Sequence, residues 1–151
     1  MSKFPRPVVA KSLAQGFTLL EMLVVLVIIG LLAGLVGPRL FGKVDSSKVS
    51  TAETQIKMLK GALETMRLDI NRFPTAEEGL KLLYDKPSQE PIKNLWQGPY
   101  LDEAVPLDPW EKPYQYSLPG KDGQPFALYS FGADGQAGGE GIAADVGYLP
   151  Q

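Results

Sequence analysis

The sequence predicts an α+β fold in which a long amino-terminal helix, transmembrane in its first half, packs on a small globular domain with a short helix, a small antiparallel sheet and a loop-rich carboxy-terminal segment. Three observations predict it. An apolar run opens at Phe17 and extends to about Val36. Apolar residues then recur at helical spacing as far as Ile70. The 13 prolines and 16 glycines are concentrated after Phe73, so a helical first half gives way to a second half rich in loops.

The apolar run is about 20 residues long, enough to cross a bilayer as a helix. Lys3, Arg6 and Lys11 precede it with no acidic residue among them, which favours keeping that side in the cytoplasm. Arg39, Lys43 and Lys48 follow it, so the asymmetry is modest. A secretory signal peptide would need an uninterrupted apolar core and a small-residue cleavage site after it, and Ala33-Gly34-Leu35 imitates one poorly. A lipoprotein anchor needs a cysteine, and the sequence has none.

Glu21 interrupts the run. A carboxylate deep in a bilayer costs roughly 2.5 to 3.5 kcal/mol on insertion scales and needs a partner. An amino terminus would supply one: a cut between Gly16 and Phe17 would place the new ammonium about 6 Å along the helix axis from Glu21, available to the Glu21 of a neighbouring copy. Further along, Gly30 and Gly34 form a Gly-xxx-Gly pair, and Pro38 cannot donate an amide to the Gly34 carbonyl. The stretch from Gly30 to Pro38 is expected to extend or melt when subunits pack, the plain alternative being a kink in a single anchor.

Beyond the membrane the apolar positions are Phe41, Val44, Ala52, Ile56, Leu59, Leu63, Met66 and Ile70, with Lys48, Glu53, Lys57, Lys60, Glu64 and Arg67 on other faces. From Thr51 onward this stripe should pack on the chain's own domain. Phe73-Pro74 ends or bends the helix. Thr75-Ala76-Glu77-Glu78 matches a capping box, with Thr75 as N-cap and Glu78 reaching back, and predicts a second helix to about Tyr84 anchored by Leu80, Leu82 and Leu83. Asp85 to Trp110 reads as a Pro-punctuated loop packed down by Trp96, Tyr100 and Trp110, and Asp108-Pro109-Trp110 as a turn with a buried indole. Tyr114 to Leu118 and Phe126 to Phe131 alternate as strands, joined by a turn through Pro119-Gly120-Lys121-Asp122-Gly123. The chain divides into residues 1–16 as a leader, 17–38 as a transmembrane helix, 39–72 as the rest of the long helix, and 73–151 as a small α+β region.

These residues also carry a family resemblance. A short basic leader ending in Gly16, followed by Phe17-Thr18-Leu19-Leu20-Glu21 and an apolar helix, resembles the prepilin signature of type IV pilins and type II secretion pseudopilins. Phe73-Pro74-Thr75, Glu78-Gly79-Leu80, Leu107-Asp108-Pro109-Trp110, Pro113-Tyr114-Gln115-Tyr116 and the run from Leu128 to Gly135 are similar to the major pseudopilins of type II secretion. The resemblance covers nearly the whole chain from Gly16 onward. Ordinary type IV pilins usually have a larger sheet and a carboxy-terminal disulfide, for which this chain has neither the length nor the cysteines.

The resemblance implies cleavage after Gly16 by a prepilin peptidase and methylation of the new amino-terminal Phe17. It implies an inner-membrane subunit with a cytoplasmic amino terminus and a periplasmic domain, polymerised into a homo-oligomeric pseudopilus that drives folded proteins through the outer membrane. The implied assembly positions are Phe17, Glu21 and Pro38, and the implied partners are minor pseudopilins, an inner-membrane assembly platform and an outer-membrane secretin. It further implies calcium in the glycine-rich stretch from Gly132 to Gly141, closed by Asp145. By position, Asp134 and Asp145 would give side-chain oxygens, and Phe131 and Gln136 carbonyls. A hard cation suits such oxygens. Ala143 and Ala144 stand where the family usually places another acidic residue, which should weaken binding.

Other functions fit poorly. The absence of His and Cys removes the commonest general base, the thiol nucleophile and the zinc ligand sets built on them, so no enzyme is expected. A formal net charge of −2 gives no basic stripe for nucleic acid. Two alternatives remain open: a minor pilin of a type IV pilus or DNA-uptake apparatus, and a monomeric membrane-anchored binding module.

Overall fold

The computed structural model describes residues 16–151, with side chains for all of these except residues 38–41. The expected leader, apart from Gly16, lies outside the described residues. Helix α1, Leu19–Ile70, is continuous over 52 residues and ends where Asn71 turns into the left-handed region at φ 60°. The Asn71 amide still donates to the Arg67 carbonyl at 2.8 Å, closing the last turn before Phe73-Pro74.

The chain forms two compact units, the first ending at Leu40 and the second Phe41–Gln151. In the first, α1 leaves its large apolar side chains exposed from Leu19 to Val36, and this helix is long and apolar enough to cross a membrane. In the second, the predicted stripe of Ala52, Ile56, Leu59, Leu63, Met66 and Ile70 is buried. Val44, ahead of the part expected to pack, is 55% exposed, and the core on α1 begins with the partly buried Val49, slightly before Thr51.

The capping box forms, but the expected helix to Tyr84 is a 3-10 segment, Gly79–Leu83. Gly79 adopts φ +57°, a left-handed conformation that no α-helix tolerates in its interior, so regular winding starts late and stays tight. Leu80, Leu82 and Leu83 are buried as expected. Within the stretch read as loop, a single helical turn, α2 (Ile92–Leu95), precedes the buried Trp96, whose Nε1 donates to the Leu82 carbonyl at 2.8 Å.

Strands β1 (Gln115–Ser117) and β2 (Ala127–Ser130) pair antiparallel, with Tyr116 opposite Leu128. A third strand, β3 (Val146–Tyr148), which the sequence reading missed, pairs antiparallel with β2 and puts Val146 opposite Ser130. The sheet therefore has order β1-β2-β3. Buried Leu128 joins Ile56, Leu59, Leu63 and Met66 in the core, and the Phe73 and Phe126 rings meet edge-on at 4.8 Å. Phenols tie the loops down: Tyr100 donates to Asp69 at 2.7 Å, Tyr116 to the Pro74 carbonyl at 2.8 Å, and Tyr114 to Gln55.

Candidate functional site

Two regions hold the residues singled out from the sequence. At the amino end, Thr18 precedes the first turn of α1, and its Oγ1 accepts the Glu21 amide at 3.1 Å. The Glu21 Oε2 in turn accepts the Thr18 amide at 3.4 Å. This is a second capping box of the same Thr-x-x-Glu pattern as Thr75 to Glu78, and it was legible in the sequence but not read there. A carboxylate in the first helical turn also sits favourably against the helix dipole. Phe17 lies outside the helix and is 74% exposed, so α1 starts two residues after the expected boundary. Pro38 falls within α1, which runs without interruption from Gly30 past it in this single copy.

The outward face of α1 beyond the membrane half is uncharged along one line. Val44, Ser47, Thr51, Thr54, Met58, Gly61, Thr65 and Leu68 follow one another at alternating spacings of three and four, and all are exposed. The Ser47, Thr51, Thr54 and Thr65 hydroxyls each donate to the carbonyl four residues earlier at 2.9 Å. Their hydroxyl hydrogens are thereby spent within the helix, so none of these four side chains has a donor left to offer a neighbour.

The second region is the loop between β2 and β3. Asp108, 4% exposed, accepts the Trp110 and Lys112 amides on Oδ1 at 3.0 and 2.8 Å and the Ser130 hydroxyl on Oδ2. Ser130 Oγ accepts the Gly132 amide at 3.0 Å, and Lys112 Nζ donates to the Ala133 carbonyl at 3.0 Å. The turn expected merely to bury an indole thus anchors the entry to the loop. The loop's limbs are joined by Ala133 donating to the Ile142 carbonyl at 3.0 Å and Asp145 to the Gly138 carbonyl at 3.1 Å.

The expected ligands divide between these limbs. Asp134 Oδ1 turns back to accept the Gln136 amide at 3.0 Å, while Asp145 Oδ2 accepts the Gly138 amide at 2.9 Å. Asp145 Oδ1 is buried with no hydrogen-bond partner. A buried carboxylate oxygen left unpaired is costly, and a hard cation is the kind of group that would satisfy it. Among the described residues, no three acidic side chains converge as a metal cluster, so any shell here depends on backbone oxygens. Burial, followed by the Asp145 charge, raises the Tyr129 phenol above its ordinary value.

Comparison with known proteins bears on both regions. Residues 39–149 match the family described as type II secretion system (T2SS), protein G, and residues 11–37 match the prokaryotic N-terminal methylation motif. The chain is 44% identical over 133 residues to the type II secretion system core protein G of Pseudomonas aeruginosa, an alignment that covers 88% of this chain and 93% of that protein. It is 43% identical over 132 residues to the core protein G of Vibrio cholerae, covering 87% and 89% respectively. The crystal structure of the major pseudopilin from the type 2 secretion system of enterohaemorrhagic Escherichia coli is similar at a TM-score of 0.60 and 32% identity, over 73% of this chain and 93% of that one.

Proposed function

The chain belongs to the protein G family of type II secretion systems, and on that premise we propose how its parts serve a filament. It is a major pseudopilin, a structural subunit that assembles into the pseudopilus of the secretion system. Its apolar amino-terminal helix anchors it to a membrane.

The finer steps are our reading. A prepilin peptidase cuts after Gly16, and the new Phe17 amine is methylated. The domain stands in the periplasm, with the amino terminus on the cytoplasmic side of the inner membrane. An assembly platform adds subunits there, minor pseudopilins accompany them, and growth presses cargo toward an outer-membrane secretin. The Phe17 ammonium of one subunit pairs with the Glu21 carboxylate of the next, which offsets the cost of placing that carboxylate in lipid. The observation that carries this reading is the coincidence of the methylation-motif match over residues 11–37 with a helix that exposes its apolar side chains from Leu19 to Val36. The uncharged outward line from Val44 to Leu68 supports packing between copies farther along the same helix.

Glu21→Ala in cells, with filament assembly and secretion both followed, tests the pairing. Membrane insertion should persist while filaments and secretion are lost. Unchanged assembly would reject it.

We further infer that the loop between β2 and β3 holds calcium. The unpaired Asp145 Oδ1 supports this, with Asp134 as the second carboxylate and Phe131 and Gln136 as carbonyl donors. When bound, calcium would supply positive charge that orders the loop and the strand after it. With Ala143 and Ala144 in place of a further acidic residue, binding is expected to be weak.

A further inference from the structure

A cation from outside the glycine loop touches its entry. Lys112 Nζ lies 3.0 Å from the Ala133 carbonyl oxygen. A Cβ added to Gly135 would stand 2.4 Å from that Nζ and 3.0 Å from Cε, so the ammonium occupies the space a side chain at 135 would need. Gly135 itself is at φ +71°, where glycine is favoured on backbone grounds as well. Lys112 takes part in neither of the ion pairs found among the described residues. A strongly hydrated ammonium is thus half-buried against backbone rather than against a carboxylate. Its own amide is gripped by buried Asp108, which also holds Ser130, whose hydroxyl takes the Gly132 amide.

We propose that Lys112 is a positioning residue of this loop: seated on the Ala133 carbonyl over Gly135, its ammonium holds residues 131–136 in shape independently of any metal. The metal-affinity consequence rests on the calcium reading above. A loop with one limb already ordered gives up less entropy when a cation binds, so loss of Lys112 should weaken binding. Charge alone would act in the opposite sense, since removing a positive group from the neighbourhood favours a second cation. The direction of change therefore separates positioning from mere repulsion.

The test uses the full chain in detergent micelles, as wild type, Lys112→Met, Gly135→Ala and the double variant. Amide hydrogen exchange should accelerate about ten-fold at residues 132–136 in Lys112→Met, with α1 and the sheet unchanged, because only local opening becomes easier. Titration with calcium chloride should show binding weakened about three-fold or more. In the double-variant cycle, Gly135→Ala should do less harm when Lys112 is already Met, because the clash with Nζ has gone while the backbone strain is common to both backgrounds. Unchanged exchange at 132–136, tighter calcium binding, or strict additivity would each overturn the proposal. A wild type that ignores calcium, together with accelerated exchange in Lys112→Met, would remove the calcium reading and support the positioning role.

Discussion

Arg72 and Glu78 form a two-pronged ion pair, Nη1 to Oε2 and Nη2 to Oε1 at 2.7 Å each, and the same carboxylate accepts the Thr75 amide at 2.8 Å. One side chain thus closes the turn that leads into the 3-10 segment and ties it to Arg72, just past the end of α1. The guanidinium bond is the main reason the Glu78 carboxyl is held at about 2. A depressed carboxyl contributes stability in full above its unfolded value and loses it as pH falls through the folded one. Glu78→Gln should therefore cost about 1 kcal/mol at neutral pH for this partly exposed pair. The gap between variant and wild type should close as pH falls from about 4.5 toward 2, read from thermal unfolding in micelles. A gap independent of pH would contradict it.

Leu63 and Leu68 lie on opposite sides of α1, one fully buried and one 80% exposed. Leu63→Ala should lower the domain's stability by about 2 to 5 kcal/mol. Leu68→Ala should change it by no more than about 0.5 kcal/mol. Urea unfolding of both variants checks the pair.

Thr18 and Glu21 share a capping box, so loss of either weakens the first turn of α1. Thr18→Ala should cost about 1 kcal/mol of helix stability yet leave filaments intact. Only Glu21 variants should abolish assembly if the carboxylate serves a neighbouring amine. Filament yield from Thr18→Ala and Glu21→Gln side by side distinguishes capping from pairing. Equal loss in both would assign the effect to capping.

Asp145 is the carboxylate whose second oxygen lacks a partner. Calcium at a hundred times its Kd should stabilise the wild type by about 2.7 kcal/mol, and chelation should reverse this. Asp145→Asn should remove the response. A thermal shift that survives in Asp145→Asn would place the ion elsewhere.

The buried positions of α1 were legible because one period runs from Ala52 to Ile70, and the core follows it. Val44 continues the same period but lies ahead of Thr51, where packing was expected to start, and it is exposed. The capping pattern at Thr75 was visible, but Gly79, which turns the following segment into a 3-10 helix, was not weighed as a left-handed residue. β3 is three residues long and contains Gly147, too short and too interrupted to show alternation. Asp108 gave no signal because its partner Ser130 lies 22 residues away, a closeness only the fold creates. The motif around Gly16, Phe17 and Glu21 was legible because its residues are neighbours in sequence, and the match of residues 11–37 to the prokaryotic N-terminal methylation motif falls on the same stretch.

The most direct measurement is the mass of the amino-terminal peptide from subunits in purified, functioning pseudopili. A peptide beginning at Phe17 and heavier by one methyl group is the predicted result, since pairing with Glu21 requires that amine. Filaments whose subunits retain residues 1–16 would contradict it.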